Sequence, residues 1–260
     1  METSLLIIII VVVLALAFDF INGFHDTANA IATAVSTRAL SPRVAIVLAS
    51  FMNLLGALIF TGVAKTIGGK IANPVELENG MVIVIAALLA GITWNLITWY
   101  YGIPSSSSHA LIGSLAGAVI AAAGLNGINW DGFIDIFKAL IISPVIALVV
   151  GFAMMSLFRF ILKGIPASPH KVNKGFRYFQ VVTAAFQSFS HGTNDAQKAM
   201  GIITFALVAG GFQSDMEIQL WVQISAATAM ALGTAVGGWK IIKTVGGKIM
   251  KIEPVNGAAA

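Results

Sequence analysis

The sequence predicts an all-α polytopic membrane protein, built from two inverted repeats with helices broken near the bilayer midplane. Three features carry this: apolar runs of spanning length, a duplicated pair of motifs, and polar clusters lodged between apolar segments. Of 260 residues, 58% are hydrophobic and 10% charged, whereas soluble domains are about half apolar and about a quarter charged. A hydrocarbon core of ~30 Å takes roughly 20 apolar residues per helix. Leu5 to Phe18, Val44 to Ala64, Ala139 to Phe158 and Ile218 to Trp239 are the clearest such runs. Between Glu78 and Asp131 no Asp, Glu, Lys or Arg occurs, and Gly102-Ile103-Pro104 divides that stretch into two helix-sized halves.

Charge sets the orientation. Arg159, Lys163, Lys171, Lys174 and Arg177 crowd one segment, and Lys240, Lys243, Lys248 and Lys251 crowd the C-terminal tail. Basic residues favour the cytoplasmic side, so both segments face inward, as does the turn carrying Arg38 and Arg43. Lys65 and Lys70 are left outside, and so is the N-terminus. The formal charge of +4 forms no continuous basic patch, which excludes nucleic acid as a partner. With no cysteine, disulfides, thiolate metal sites and cysteine nucleophiles are excluded. Ala15-Leu16-Ala17 mimics a signal-peptidase site, but the residues before it hold Glu2 and no Lys or Arg, so a membrane helix is the better reading.

Lys65-Thr66-Ile67-Gly68-Gly69-Lys70-Ile71 recurs as Lys243-Thr244-Val245-Gly246-Gly247-Lys248-Ile249. Upstream, Gly23-Phe24-His25-Asp26-Thr27-Ala28-Asn29-Ala30 aligns with Gly192-Thr193-Asn194-Asp195-Ala196-Gln197-Lys198-Ala199. An odd number of crossings separates the copies, so they are inverted. Residues 1–158 form the first repeat, 159–177 a basic cytoplasmic linker, and 178–260 an incomplete second repeat. Inverted repeats with polar, glycine-interrupted segments at matching places point to the midplane site of a secondary transporter; a duplicated structural bundle is the plainer alternative.

Asp19, Asn22, His25, Asp26 and Asn29 lie between apolar stretches, where a mid-bilayer charge costs roughly 2.5 to 3.5 kcal/mol. A helix interrupted at Gly23 would offset this, its unwound carbonyls joining Asp26 and Asn29 in an oxygen cage for a small cation. The plainer alternative is that these groups pair with one another. Asp26, Asn29 and Thr33 share one helix face. In the second copy Asn194, Asp195 and Lys198 occupy the matching break, with Lys198 paired to Asp195 or reaching an anion.

A third polar element is Pro104-Ser105-Ser106-Ser107-Ser108-His109, ahead of a small-residue helix through Gly113 and Gly117. Proline and serine suit a helix start. A helix N-terminus with serine hydroxyls makes an anion site, although serine also fills helix contacts in membranes. A hydrolase reading fails because adjacent Ser108 and His109 point to different sides of a helix, while a nucleophile and its base must meet. His25, Asp26, His191 and Asp195 could converge on a divalent metal, but no His-x-x-x-His pair supports it. His170, in the basic segment, reads as solvated.

The two Gly-x-x-Asp copies, Gly23 to Val35 and Gly192 to Ala199, with Pro104 to His109, resemble the signatures of the inorganic phosphate transporter (Pit-type) family. The resemblance runs from about Phe18 to Pro254. It implies an inverted-repeat fold, often a homodimer, in the inner (plasma) membrane, moving inorganic phosphate with a coupling cation, proton or sodium, and no other cofactor. It implies phosphate ligands at Ser105, Ser106, Ser107, Ser108, Thr193 and Asn194, with Lys198 and His109 beside them. It implies cation ligands at Asp26, Asn29 and Asp195, to which the polar cluster adds Asn22 and His25. His25 stands where many relatives carry Asn, a lean toward protons. The family also includes sulfate carriers. A second Pro-x-Ser-x-x-His segment normally follows, so the expectation is a truncated chain. Its alternatives are sulfate or divalent-metal transport on the same architecture, or a non-transporting membrane component.

Overall fold

Lipid offers backbone groups no hydrogen-bond partner, so an apolar chain in a bilayer satisfies them internally as helices. The computed structural model describes residues 2–61, 80–164, 168–249 and 252–259, and these are helical nearly throughout. The first Lys-Thr-x-Gly-Gly-Lys copy, Lys251 and the middle of the basic segment lie outside the described residues. The helices are α1 (Glu2–Ser36), α2 (Pro42–Ile59), α3 (Gly80–Tyr101), α4 (Ser107–Ala123), α5 (Trp130–Lys163), α6 (Pro169–Ala209), α7 (Leu220–Val236), α8 (Trp239–Thr244) and α9 (Pro254–Ala259). Four of them, α1, α2, α3 and α5, are individually long and apolar enough to cross a membrane. The α7 and α8 axes bend by 51° at Gly237 and Gly238, where Gly237 adopts φ of 76°.

Two expectations change here. No break occurs at Gly23 or Gly192: α1 runs unbroken for 35 residues and α6 for 41. At 1.5 Å per residue these are about 52 and 62 Å long, well beyond one hydrocarbon thickness. Their backbone carbonyls are spent on helix bonds, so an oxygen cage of unwound carbonyls does not form. The interruptions lie instead at Gly102–Ser106 and at the α7/α8 bend. The basic segment is also mostly helical, because α5 ends at Lys163 and α6 begins at Pro169.

The core is a cluster of α1, α2, α6 and α7, with α3 and α4 packed beside α1. Glycines set its closest approaches. A Cβ at Gly23 would strike the Met230 carbonyl, and one at Gly233 the Phe20 carbonyl; one at Gly56 would strike the Phe189 carbonyl, and one at Gly192 the backbone of Asn53. Small residues at such crossings let membrane helices touch backbone to backbone. The matched glycines have exchanged partners: α1 of the first copy packs on α7, and α6 of the second copy packs on α2. By contrast α5 has no buried residue and packs against α9.

Candidate functional site

The polar positions of α1 and α6 each recur at helical spacing, so an unbroken helix gathers them on one face. Asp26 and Asn29 of α1 meet Gln187, Ser190, His191, Asn194 and Asp195 of α6 across a cavity of about 380 Å³. Ser105, Ser106 and Ser108 close its third side. At ~30 Å³ per water, that volume holds about a dozen waters, or a tetrahedral oxyanion with accompanying ions. Thr33, on the same face of α1, is not part of this lining.

The start of α4 is tied to α1. Ser106 is its N-cap, its hydroxyl accepting from the His109 N–H at 3.4 Å. The Ser107 N–H donates to Asp26 Oδ2 at 3.2 Å, and the Ser107 hydroxyl lies 2.5 Å from Asp26 Oδ2 and 2.6 Å from Asn22 Oδ1. A carboxylate therefore fills the helix terminus that sequence reading reserved for an anion. Ser107 is fully buried and holds Asp26, while its neighbours Ser106 and Ser108 face the cavity.

His25 is buried behind Asp26, with Nδ1 2.8 Å from Asp26 Oδ1 and Nε2 2.9 Å from the Thr98 hydroxyl. Thr98 either donates to Nε2, leaving the imidazole proton on Nδ1, or donates to a backbone carbonyl and accepts from Nε2. In the first case Nδ1 donates to Asp26 Oδ1.

The second copy is wired differently. Asp195 Oδ2 accepts from the Asn22 amide at 3.1 Å and forms an ion pair with Lys198 Nζ at 2.7 Å. His191 Nε2 is 3.5 Å from the same oxygen, and its Nδ1 is 3.1 Å from Asn53 Oδ1. Asn53 is fixed in turn, its amide donating to Thr27 and Thr234 hydroxyls at 2.9 Å each. Since Asn53 Oδ1 can only accept, His191 Nδ1 carries a proton, and Nε2 turns toward Asp195. Asp26, His191 and Asp195 each place a ligand atom within 4.8 Å of the others. This is a donor set for a small cation, with Asn53 as the outer partner that orients the histidine.

Sequence reading thus placed Asp26, Asn29, Asn194, Asp195, Ser105, Ser106 and Ser108 where the structure brings them together. Asn22, His25, Ser107 and Lys198 form the buried layer behind. Thr193 is not among the lining residues: its hydroxyl donates to the Phe189 carbonyl at 2.9 Å, beside Gly56 of α2. His109 belongs to a neighbouring cavity of about 710 Å³ with Trp94 and Ser114. Gln187, Ser190 and Asn53 were missed, and His191 was weighed only as a metal ligand. The spacing of 187, 190, 191 and 194 is a helical polar stripe, but an assumed break at Gly192 hid it. His191 and Asp195, one turn apart, are the close ligand pair that seemed missing.

The phosphate transporter family matches residues 22–260. The chain is 63% identical to a probable low-affinity inorganic phosphate transporter of Bacillus subtilis, covering 100% of this chain and 78% of that one. It is 46% identical to the Mycobacterium tuberculosis protein of the same description, covering 100% of this chain and 62% of that one. A solved structure titled "The sodium-dependent phosphate transporter" matches 97% of this chain and 81% of its own length, with a TM-score of 0.85 and 26% identity.

Proposed function

The chain belongs to the phosphate transporter family, a family of multi-pass membrane proteins whose members are named as transporters and not as enzymes, and from that premise we propose that it moves inorganic phosphate across the plasma membrane in symport with a cation. The observation that carries this reading is the single cavity shared by a carboxylate of each copy and the serine segment. Phosphate is recognised there by hydroxyls and amides, those of Ser105, Ser106, Ser108, Asn29 and Asn194. Asp26 would repel a bare anion at such range, whereas Asp195 is paired with Lys198. A cation held at Asp26, with His191 within reach, removes that repulsion, so each ligand improves the site for the other, which is the reciprocal coupling symport needs.

The buried contact of a histidine with the cavity carboxylate, His25 with Asp26, supports a proton as the coupling ion. Sodium is the competing choice, because the matched structure is that of a sodium-dependent phosphate transporter. The ligand triad favours a second reading, in which a divalent metal is cargo. Residues 1–158 and 178–260 are read as inverted repeats, a reading supported by the reciprocal glycine crossings. Dimerisation belongs to the same proposal, with α5 offering a face to lipid or to a second copy.

Uptake of radiolabelled phosphate into proteoliposomes under imposed sodium or proton gradients tests the function. Accumulation driven by one gradient is expected, with Asp26→Asn abolishing it. No accumulation under either gradient, or wild-type uptake by Asp26→Asn, removes the mechanism. Sulfate and manganese uptake in the same vesicles decide between cargoes.

A further inference from the structure

Asn29 and Lys198 occupy the same place in the two copies, yet their side chains do different things. Asn29 is exposed to the cavity. Lys198 is 6% exposed, and its ammonium pairs with Asp195 at 2.7 Å.

We propose that Lys198 is a tethered cation, standing at Asp195 in the place an exchangeable coupling ion would take, so that only the Asp26 half of the site loads a cation from solution. The inference rests on the transport reading above. The charge of the two half-sites supports it. Asp26 has no Lys or Arg ion-pair partner among the described residues, only His25, whereas Asp195 has Lys198. A buried carboxylate needs a partner, and Lys198 supplies one from the next turn of the same helix, at the millimolar or higher effective concentration of a short tether. A free ion would have to displace it from Asp195 and break a buried ion pair, which is strongly unfavourable.

Asp19 adds an independent observation. It is fully buried, neither of its oxygens has a hydrogen-bond partner among the described residues, and it interacts electrostatically with Lys198. Asp19 is not among the cavity-lining residues, so this electrostatic partner of Lys198 lies within the protein and not in the cavity. Asn22 donates to Asp195 and accepts from the Ser107 hydroxyl, while the Ser107 backbone N–H donates to Asp26. One side chain therefore links the fixed half-site to the exchangeable one.

The test is the number of cations carried per phosphate by the intact transporter in proteoliposomes, read from the phosphate gradient at which net flux reverses under a set sodium or proton gradient. Lys198→Asn, which installs the first-copy residue, is expected to raise the ratio by one cation per phosphate, and Lys198→Arg to keep the wild-type ratio. If Lys198→Asn carries no phosphate, added methylammonium, a free copy of the lost group, is expected to restore flux at least tenfold. An unchanged ratio in Lys198→Asn, or an inactive variant that methylammonium leaves inactive, overturns the proposal. Absence of flux in the wild-type protein instead overturns the transport reading, and this inference with it, so the two failures are distinguishable.

Discussion

At the scale of single residues, the serine run divides into two kinds of hydroxyl, and this division is testable. Ser106 and Ser108 face the cavity, whereas Ser107 is buried against Asp26 and Asn22. A hydrogen bond to a charged group is worth about 1.5 to 3 kcal/mol, and about 1.4 kcal/mol is tenfold in affinity. Ser106→Ala with Ser108→Ala is therefore expected to weaken phosphate binding by roughly 10² or more, with about 1 kcal/mol of stability lost from the Ser106 cap. Ser107→Ala is expected to lower the melting temperature and weaken cation dependence, while phosphate affinity at saturating cation stays close to wild type. Radiolabelled phosphate binding and a melting curve on each preparation check both. Equal effects from the two variants would contradict the division. His191→Asn, which copies Asn22 of the first repeat, removes Nε2 and is expected to raise the cation concentration for half-maximal uptake about tenfold. The residue types at this site were legible because charges and amides stand out in an apolar chain. Which serine faced inward was not, since that depends on where α1 crosses α4, and only tertiary packing sets that crossing.

At the scale of elements, the glycines that looked like helix breaks are helix contacts. A glycine in an apolar helix serves either purpose, unwinding the backbone or admitting a neighbour, and its sequence position does not tell them apart. Packing decides it: Gly192 abuts the backbone of Asn53, whereas a methyl group added at Gly113 would meet nothing within 4 Å. Gly192→Ala is thus expected to destabilise the protein by the roughly 1 to 3 kcal/mol typical of overpacking, at roughly 2 to 4 °C of melting temperature per kcal/mol for a chain of this size. It also pushes α6 from α2, displacing His191 from Asn53, so cation affinity falls in step. Gly113→Ala is expected to leave both unchanged. Thermal melts in detergent with cation titration of uptake decide this, and a neutral Gly192→Ala would restore the reading of a hinge. The split at Gly102–Ser106 was legible for a plainer reason, because Gly102 and Pro104 together interrupt an apolar run, and in the structure Gly102 takes φ of 66°.

At the scale of the whole molecule, the proposed inverted arrangement makes a prediction that site chemistry cannot mimic. Ser36 of α1 lies against Gly246, and the Tyr100 carbonyl at the end of α3 accepts from Lys240 at 3.2 Å, so these ends share one side. Ile8 approaches Gly210 at the other. The first side carries Arg38, Arg43, Lys240 and Lys243, which the positive-inside rule assigns to the cytoplasm. Then α1 enters from outside and α6 from inside, and Asp26 and Asp195 reach one cavity on helices of opposite direction. Symmetry of this kind would let either half open while the other closes. The chain contains no cysteine, so single-cysteine variants give an unambiguous map. Leu125→Cys, between α4 and α5, and Gln213→Cys, between α6 and α7, are expected to react with a membrane-impermeant maleimide added to intact cells. Arg38→Cys, after α1, and His170→Cys, at the start of α6, are expected to react only after permeabilisation. External labelling of His170→Cys together with protection of Gln213→Cys would make α6 run parallel to α1, and the two copies would then be a direct duplication that cannot alternate by exchange of their halves.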